Sequence, residues 1–319
     1  MRRSIIATVV AAGLVLASCG GDDDDSGAES TAEAGDDTTA DATNEPADDT
    51  SDDSSDDMSD DTAEGAAGSA AECAAGNTVN DGVLTIATGE PAFPPYILND
   101  DTPEDGQGFE AAVAMAVARE LGFEADSVTW VRTAFDAAIA PGPKDFDFNL
   151  QQYTITPERA EVVDFSEGYY SASQAIFGLS DSAAAGATTL DELKSLKIGV
   201  AAGTTSVTYV EEVIAPDSEL LIFNDNASAK QALESNQIDA IVSDLPTALY
   251  ITAVEIEGTT VFGQIEGSGT DEFGLLLAKD SPLTSCVDLA LAALRDSGEL
   301  DQITQEWMSD FTEAPVISL

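Results

Sequence analysis

Between residues 83 and 311, short apolar runs alternate with alanine- and leucine-rich stretches whose apolar positions recur at helical spacing. Residues 83–88, 128–131, 146–150, 197–201, 221–223, 238–242 and 273–278 are compact apolar runs, and each predicts a strand. Helices are predicted between them. One opens at Gly108-Phe109-Glu110 and runs to Leu121, where Gly122 stops it. Others start at Phe135, span 190–193, follow Gly203-Thr204-Thr205 to Ile214, span 227–235, and run from Leu245-Pro246 to about Ala253. Two more cover 283–294 and 300–311. Strands alternating with helices predict α/β units with parallel sheets. In such sheets ligands bind beyond the carboxyl ends of the strands.

Outside this span the pattern changes. Arg2 and Arg3 precede an apolar core over residues 5–16, too short to span a bilayer comfortably, so residues 1–18 are expected to be a secretory signal. The segment ends Leu16-Ala17-Ser18-Cys19, which resembles the lipobox of bacterial lipoproteins and implies lipid on Cys19. Residues 20–72 offer almost nothing apolar to bury and hold 20 acidic residues without a Lys or Arg. Such a stretch does not offset its ordering entropy, so 19–72 is expected to be a lipidated cysteine followed by a disordered, charge-extended tether. Its Asp clusters lack the spacing of an EF-hand calcium loop.

Charge narrows the function. The 319 residues carry a formal net charge of −50, and residues 73–319 still hold 41 acidic against nine basic residues. A folded part this acidic excludes nucleic acid as a partner and excludes charge-driven docking on anionic lipid. A dense acidic surface also suits high salt, so a saline habitat is one expectation. Histidine is absent, which rules out imidazole-based acid–base catalysis, Ser-His-Asp and Cys-His nucleophiles, and metal sites that need imidazole. No cofactor or metal is called for.

The densest chemistry lies in residues 151–170. Gln151, Gln152, Thr154, Thr156 and Arg159 follow the predicted strand 146–150. Thr156 and Pro157 have the positions of an N-cap and a first helical residue, which puts Arg159 on a helix's first turn just past a strand end. Free N–H groups and a forked guanidinium there suit an anion. A surface arginine pairing with Glu158 or Glu161 fits the spacing equally well. Further on, Gly203, Thr204 and Thr205 offer N–H groups and hydroxyls at a helix start, and Asp244 offers a carboxylate at another; plain caps account for either alone.

Taken in order, Phe93 to Tyr96 with its Pro-Pro pair, Gly-Phe-Glu at 108, Phe135-Asp136, Thr154 through Arg159, Val163 through Ser166, Gly203-Thr204-Thr205 and Asp244 resemble the extracytoplasmic solute-binding proteins of ABC importers, polar amino-acid family (family 3), over about residues 80–312. The resemblance implies the type II periplasmic-binding-protein fold: two α/β lobes, each a mainly parallel sheet flanked by helices, joined by two crossover segments. It divides the chain into lobe 1 at 77–172 plus 268–319 and lobe 2 at 175–265. The crossings would lie near 171–174 and 263–269, where Gly267-Ser268-Gly269 suits a hinge. By the family's pattern Arg159 takes the ligand's α-carboxylate with Thr154 and Thr205. Asp244 takes the α-ammonium with Gln152, and Phe93 and Phe135 sandwich the side chain. Gln151 and Gln152 depart from the small residues usual there and put the α-amino contacts in doubt. Glu90 stands where the family often carries an acidic residue, which would suit a cationic ligand side chain, though a neutral polar ligand fits the sequence nearly as well.

These readings imply a membrane-anchored, monomeric, non-enzymatic lipoprotein on the outer face of the cell membrane. It would bind a polar amino acid, or a closely related zwitterion, and deliver it to the transmembrane subunits of an ABC permease. The alternatives are an enzyme on the same fold, similar to cyclohexadienyl dehydratases, and a sensor that presents ligand to a receptor. The two remaining cysteines, Cys73 and Cys286, are expected to pair in an oxidising compartment.

Overall fold

The computed structural model describes residues 68–100, 102–265, 271–311 and 313–318. The signal segment, Cys19, most of the tether and the Gly267-Ser268-Gly269 hinge lie outside these residues. Folded structure begins earlier than residue 77. Ser69 and Glu72 form a reciprocal capping box that starts the helix Ala70–Ala74, so the end of the expected tether is ordered. Ala70 and Ala74 bury against the first core, and Cys73 is bonded to Cys286 on the helix Thr284–Asp296.

The chain first lays down β1 (Leu84–Gly89), β2 (Val128–Thr133), β3 (Phe148–Asn149) and β4 (Val163–Phe165). It crosses as β5 (Tyr170–Ala172) and builds β6 (Gln174–Leu179), β7 (Ile198–Ala201), β8 (Leu221–Phe223), β9 (Ala240–Asp244) and β10 (Thr259–Ile265). It returns as β11 (Asp271–Phe273), adds β12 (Leu276–Ala278) and ends as β13 (Val316–Ile317). Two sheets result, ordered β2-β1-β3-β12-β4 and β13-β10-β6-β9-β7-β8, with β5 and β11 paired antiparallel as a ribbon of their own.

Each sheet is mixed rather than parallel throughout. In the first, β12 runs against β3 and β4; in the second, β6 runs against β9 and β10. The reversed strand is in both cases the one that arrives from the crossing ribbon, and it inserts into the sheet rather than adding at an edge. The run 273–278 is thus two strands, not one. It breaks at Gly274, where a Cβ would lie 2.9 Å from the Ile155 side chain. The return crossing is carried by Asp271–Phe273, while Gly263 to Ile265 still belong to β10. The chain's end differs from expectation as well: β13 pairs with β10 in the second sheet instead of staying with the first lobe.

The helices Phe109–Glu120, Thr284–Asp296 and Glu299–Met308 bury their apolar residues against the first sheet, and separate apolar clusters cover the two faces of the second. Buried Leu84, Ile86, Phe148 and Leu277 fix the first sheet, and Ile176, Phe177, Ile198 and Val242 the second. Among the described residues no helix is long and apolar enough to cross a membrane.

Candidate functional site

The carboxyl ends of β1, β2, β3, β7, β8 and β9 converge on a cavity of about 360 Å³, a size suited to a small molecule. Glu90 and Phe93 follow β1, Phe135 and Asp136 follow β2, and Gln151, Gln152, Thr154 and Arg159 follow β3. From the second sheet come Thr204, Thr205 and Ser206 after β7, Asn224, Asp225 and Asn226 after β8, and Asp244 at the end of β9. All the expected site residues line this cavity except Gly203, which lines a neighbouring crevice together with Arg159, Thr204 and Thr205.

Arg159 is buried on the short helix Pro157–Ala160, capped by the Thr156 hydroxyl through the Arg159 N–H. Its Nη1 donates to the Thr154 carbonyl at 2.7 Å, and its Nη2 reaches across to the Gly203 carbonyl at 2.9 Å. The Cζ stands 5.6 Å from the centre of the Phe135 ring. No salt bridge to Arg159 occurs among the described residues, so neither Glu158 nor Glu161 pairs with it. Burial pulls the guanidinium below its ordinary pKa, against the fields of Tyr153, Asp271 and Asp244. A buried cation with two neutral carbonyl partners has unused donors and calls for an anion.

Asp244 is the opposing charge. Its Oδ1 accepts from Gln174 Nε2 at 2.9 Å, and the same amide donates to Asp271 Oδ2 at 2.6 Å. The Gln174 carbonyl oxygen accepts from the buried Ser206 hydroxyl at 2.7 Å. Burial, then the nearby Asp271 carboxylate, push Asp244 up to about 8. Two carboxylates on one amide form an electron-rich corner that a cation relieves.

The two glutamines are held from behind. Gln152 has φ +51, and its backbone N–H donates to Glu110 Oε1 at 2.8 Å while its side-chain amide bonds the other oxygen. Tyr169 also donates to Glu110. Burial raises Glu110 to about 7, held back by these hydrogen bonds. Gln151 accepts from the Tyr153 hydroxyl at 2.9 Å, and its amide nitrogen occupies the space a Cβ on Gly89 would take. So Gln152 is committed to Glu110, whereas Gln151 forms wall. Phe135 stacks on Tyr153 with centroids 4.7 Å apart, which leaves at most one of its faces for a ligand. Thr204 donates to the Ala201 carbonyl and caps its own loop, and the Thr205 hydroxyl lies 3.3 Å from Asp271 Oδ2.

Asp136, Ser206, Asn224, Asp225 and Asn226 also line the cavity, and Glu110, Gln174 and Asp271 bond residues of its wall; none of the eight is among the site residues expected from the sequence. The carboxyl-end rule applied to 221–223 would have found the Asn-Asp-Asn group. Gln174 and Asp271 had no such signal, because they meet only when β6 and the ribbon come together. Four carboxylates (Glu90, Asp136, Asp225 and Asp244) and one cation line the cavity. No cluster among the described residues has the makings of a metal site.

The sequence profile of bacterial extracellular solute-binding proteins, family 3, matches residues 84–310. This chain belongs to that family. The L-arginine-binding protein of Pseudomonas aeruginosa is 30% identical over 231 residues, 69% of this chain and 86% of that one. An ancestral arginine-binding protein bound to glutamine superposes with a TM-score of 0.61 at 32% identity, covering 72% of this chain and 98% of that one. The ancestral amino acid-binding protein AncCDT-1, a precursor of cyclohexadienyl dehydratase, gives 0.60 at 30% identity over 71% and 95%. The fold is the two-lobed type II periplasmic-binding-protein fold, with the cavity between the lobes.

Proposed function

We propose that the chain binds a cationic L-amino acid, such as arginine, in this cavity and delivers it to an ABC importer. The observation that carries the reading is the buried Arg159 guanidinium, free of any carboxylate among the described residues and opposed by the half-buried Asp244 carboxylate. A zwitterion satisfies both: its carboxylate takes the open donors of Arg159, and its ammonium takes Asp244. Glu90, Asp136 and Asp225 leave the side-chain end of the cavity acidic, which favours a second positive charge on the ligand. Asp136 and Asp225 are partly engaged with the backbone N–H groups of Ala137 and Ser228, so Glu90 is the freest of the three. The names of the arginine-binding relatives agree with this chemistry.

Calorimetry with arginine, lysine, ornithine, glutamine and glutamate tests it. The three cationic residues should bind, glutamine more weakly, and glutamate not at all. Arg159→Ala should weaken arginine binding at least about a hundredfold, the loss of two or more charge-assisted hydrogen bonds. Silence of every amino acid with the wild-type protein would overturn the reading, and tight glutamine with silent arginine would overturn its cationic part.

The relatives named for amino-acid binding support transport over catalysis, and the ligand leaves unchanged in this reading. We further propose that the chain acts as a monomer held outside the membrane by lipid on Cys19, with residues 20–72 as the tether. Palmitate labelling that is lost in Cys19→Ser checks the anchor; labelling that persists would refute it.

A further inference from the structure

The mouth of the cleft, away from the ribbon, holds a contact that the ligand site does not use. Phe93 belongs to the loop after β1 in the first lobe, and Lys230 to the helix Asn226–Glu234 in the second. That helix follows β8, the edge strand of the second sheet, three places from β6 where the chain enters from the crossing. The Lys230 ammonium stands 5.5 Å from the centre of the Phe93 ring. Its nitrogen is also 2.6 Å from Glu255 Oε2, and the Lys230 side chain is only 17% exposed. Lys230 does not line the cavity, although Phe93 does, so the ammonium lies outside the ligand space and meets the ring from there.

We infer that Lys230 is a positioning residue: an ammonium clasp that holds Phe93 across the closed cleft and slows ligand release. The inference rests on the reading of the cavity as an amino-acid site. Glu255 belongs to the same lobe as Lys230, on the helical turn Ile251–Glu255, so it keeps the ammonium in place whether the cleft is open or closed. Phe93 moves with the other lobe. The cation–π contact therefore exists only when the lobes meet. A contact made only in the closed state shifts the population toward closure and lengthens residence, without touching the ligand. Its distance from the ribbon gives it leverage, because hinge opening separates groups most at the far end of the cleft. The side chain is already ordered by Glu255, so closing costs it little rotamer freedom. The same contact fixes the ring that walls the ligand's slot.

Dissociation of L-arginine from the full-length protein tests the clasp. Lys230→Met keeps the length and apolar stem but removes the charge. Release should quicken about three- to thirtyfold, the kinetic equivalent of one partly buried cation–π contact, with the association rate little changed. The ligand-free melting temperature should fall only by the small amount that one Lys230–Glu255 pair supplies, and Lys230→Arg should restore slow release. Spin labels on the two lobes should report a longer mean distance in ligand-free Lys230→Met than in the wild type. Unchanged release and unchanged distance would overturn the clasp, as would faster release matched by an equal loss of ligand-free stability. Should arginine fail to bind the wild type at all, the proposed ligand is wrong, and the interlobe distance alone still decides the clasp.

Discussion

Asp244 and Glu110 are carboxyl groups whose ionisation the fold opposes. Asp244 is raised to about 8 by burial and then by Asp271, with Gln174 and Arg159 pulling the other way and Glu110 adding to the rise. Glu110 is raised to about 7 by burial, against hydrogen bonds from Tyr169 and Gln152. Both values lie above those of the unfolded chain, near 4. The folded state therefore keeps protons that the unfolded state releases. The stability tied to those protons is fully present below about pH 4 and is lost as pH rises through about 7 and then about 8. Comparison with Asp244→Asn isolates one of the two groups. At pH 4 the variant and the wild type should melt together, both uncharged at this position. Above pH 8 the ligand-free variant should melt several degrees higher, yet it should bind arginine at least about a hundredfold more weakly, for want of the ammonium's counter-charge. A wild-type melting curve that does not fall relative to the variant between pH 4 and 8 would sink the assignment of Asp244 as a strained, ligand-seeking carboxylate. Calorimetry below pH 8 adds an independent sign: arginine should drive a proton off Asp244, and the apparent heat should change with the buffer's ionisation enthalpy.

At the scale of elements, the helix Phe109–Glu120 shows how the fold delivers such a group. Its first N–H groups are met by the loop that carries Phe93: Phe109 N–H donates to the Pro95 carbonyl, and Glu110 and Ala111 N–H to the Tyr96 carbonyl. Gly108 makes that approach possible. It has φ +110, and a Cβ there would lie 2.4 Å from the Tyr96 carbonyl oxygen. Gly108→Ala should cost about 3 kcal/mol or more, from backbone strain together with a clash that only backbone movement relieves. It should also weaken ligand binding by displacing Glu110 beneath Gln152. Chemical denaturation measures the first effect and calorimetry the second; a variant as stable as the wild type would refute the packing argument. The sequence made this start visible, because a glycine before an apolar helix is a local signal. It also made visible Arg159 on its Thr-Pro helix and Asp244 at a strand end, since capping and strand-end rules depend on neighbours in the chain. Strands β4, β5, β6, β10 and β13 were not legible: β4 and β5 are three residues long, and all five owe their pairing to distant partners. The same cause hid Gln174 and Asp271, and it hid that the Gln152 side chain, which lines the cavity, gives its amide nitrogen to Glu110, 42 residues earlier.

The whole molecule carries far more negative charge than its cations answer. Residues 73–319 hold 41 acids and nine bases. Six of those bases, Arg119, Arg132, Lys194, Lys230, Lys279 and Arg295, form ion pairs, while Arg159 faces the cavity and Lys144 bonds the Ala140 carbonyl. Most of the carboxylates consequently repel one another across the surface. The unfolded chain spreads the same charges farther apart, so repulsion weakens the folded state selectively. Salt shortens the range of that repulsion, from about 10 Å at 0.1 M to about 3 Å at 1 M. The ligand-free melting temperature should therefore rise by several degrees between about 0.05 and 1 M NaCl, with most of the gain in the first few hundred millimolar and the same gain with KCl. A flat or falling curve would overturn the repulsion argument. The same field acts on the incoming ligand with the opposite consequence. A net negative surface and a cavity lined by Glu90, Asp136 and Asp225 draw a cation inward, so the association rate of arginine should fall over the salt range that raises stability, whereas glutamine, neutral overall, should associate at a rate that salt leaves nearly unchanged. Stopped-flow measurements on both amino acids separate the two effects. Parallel salt slopes for arginine and glutamine would show that the acidic surface serves solubility alone and takes no part in capture.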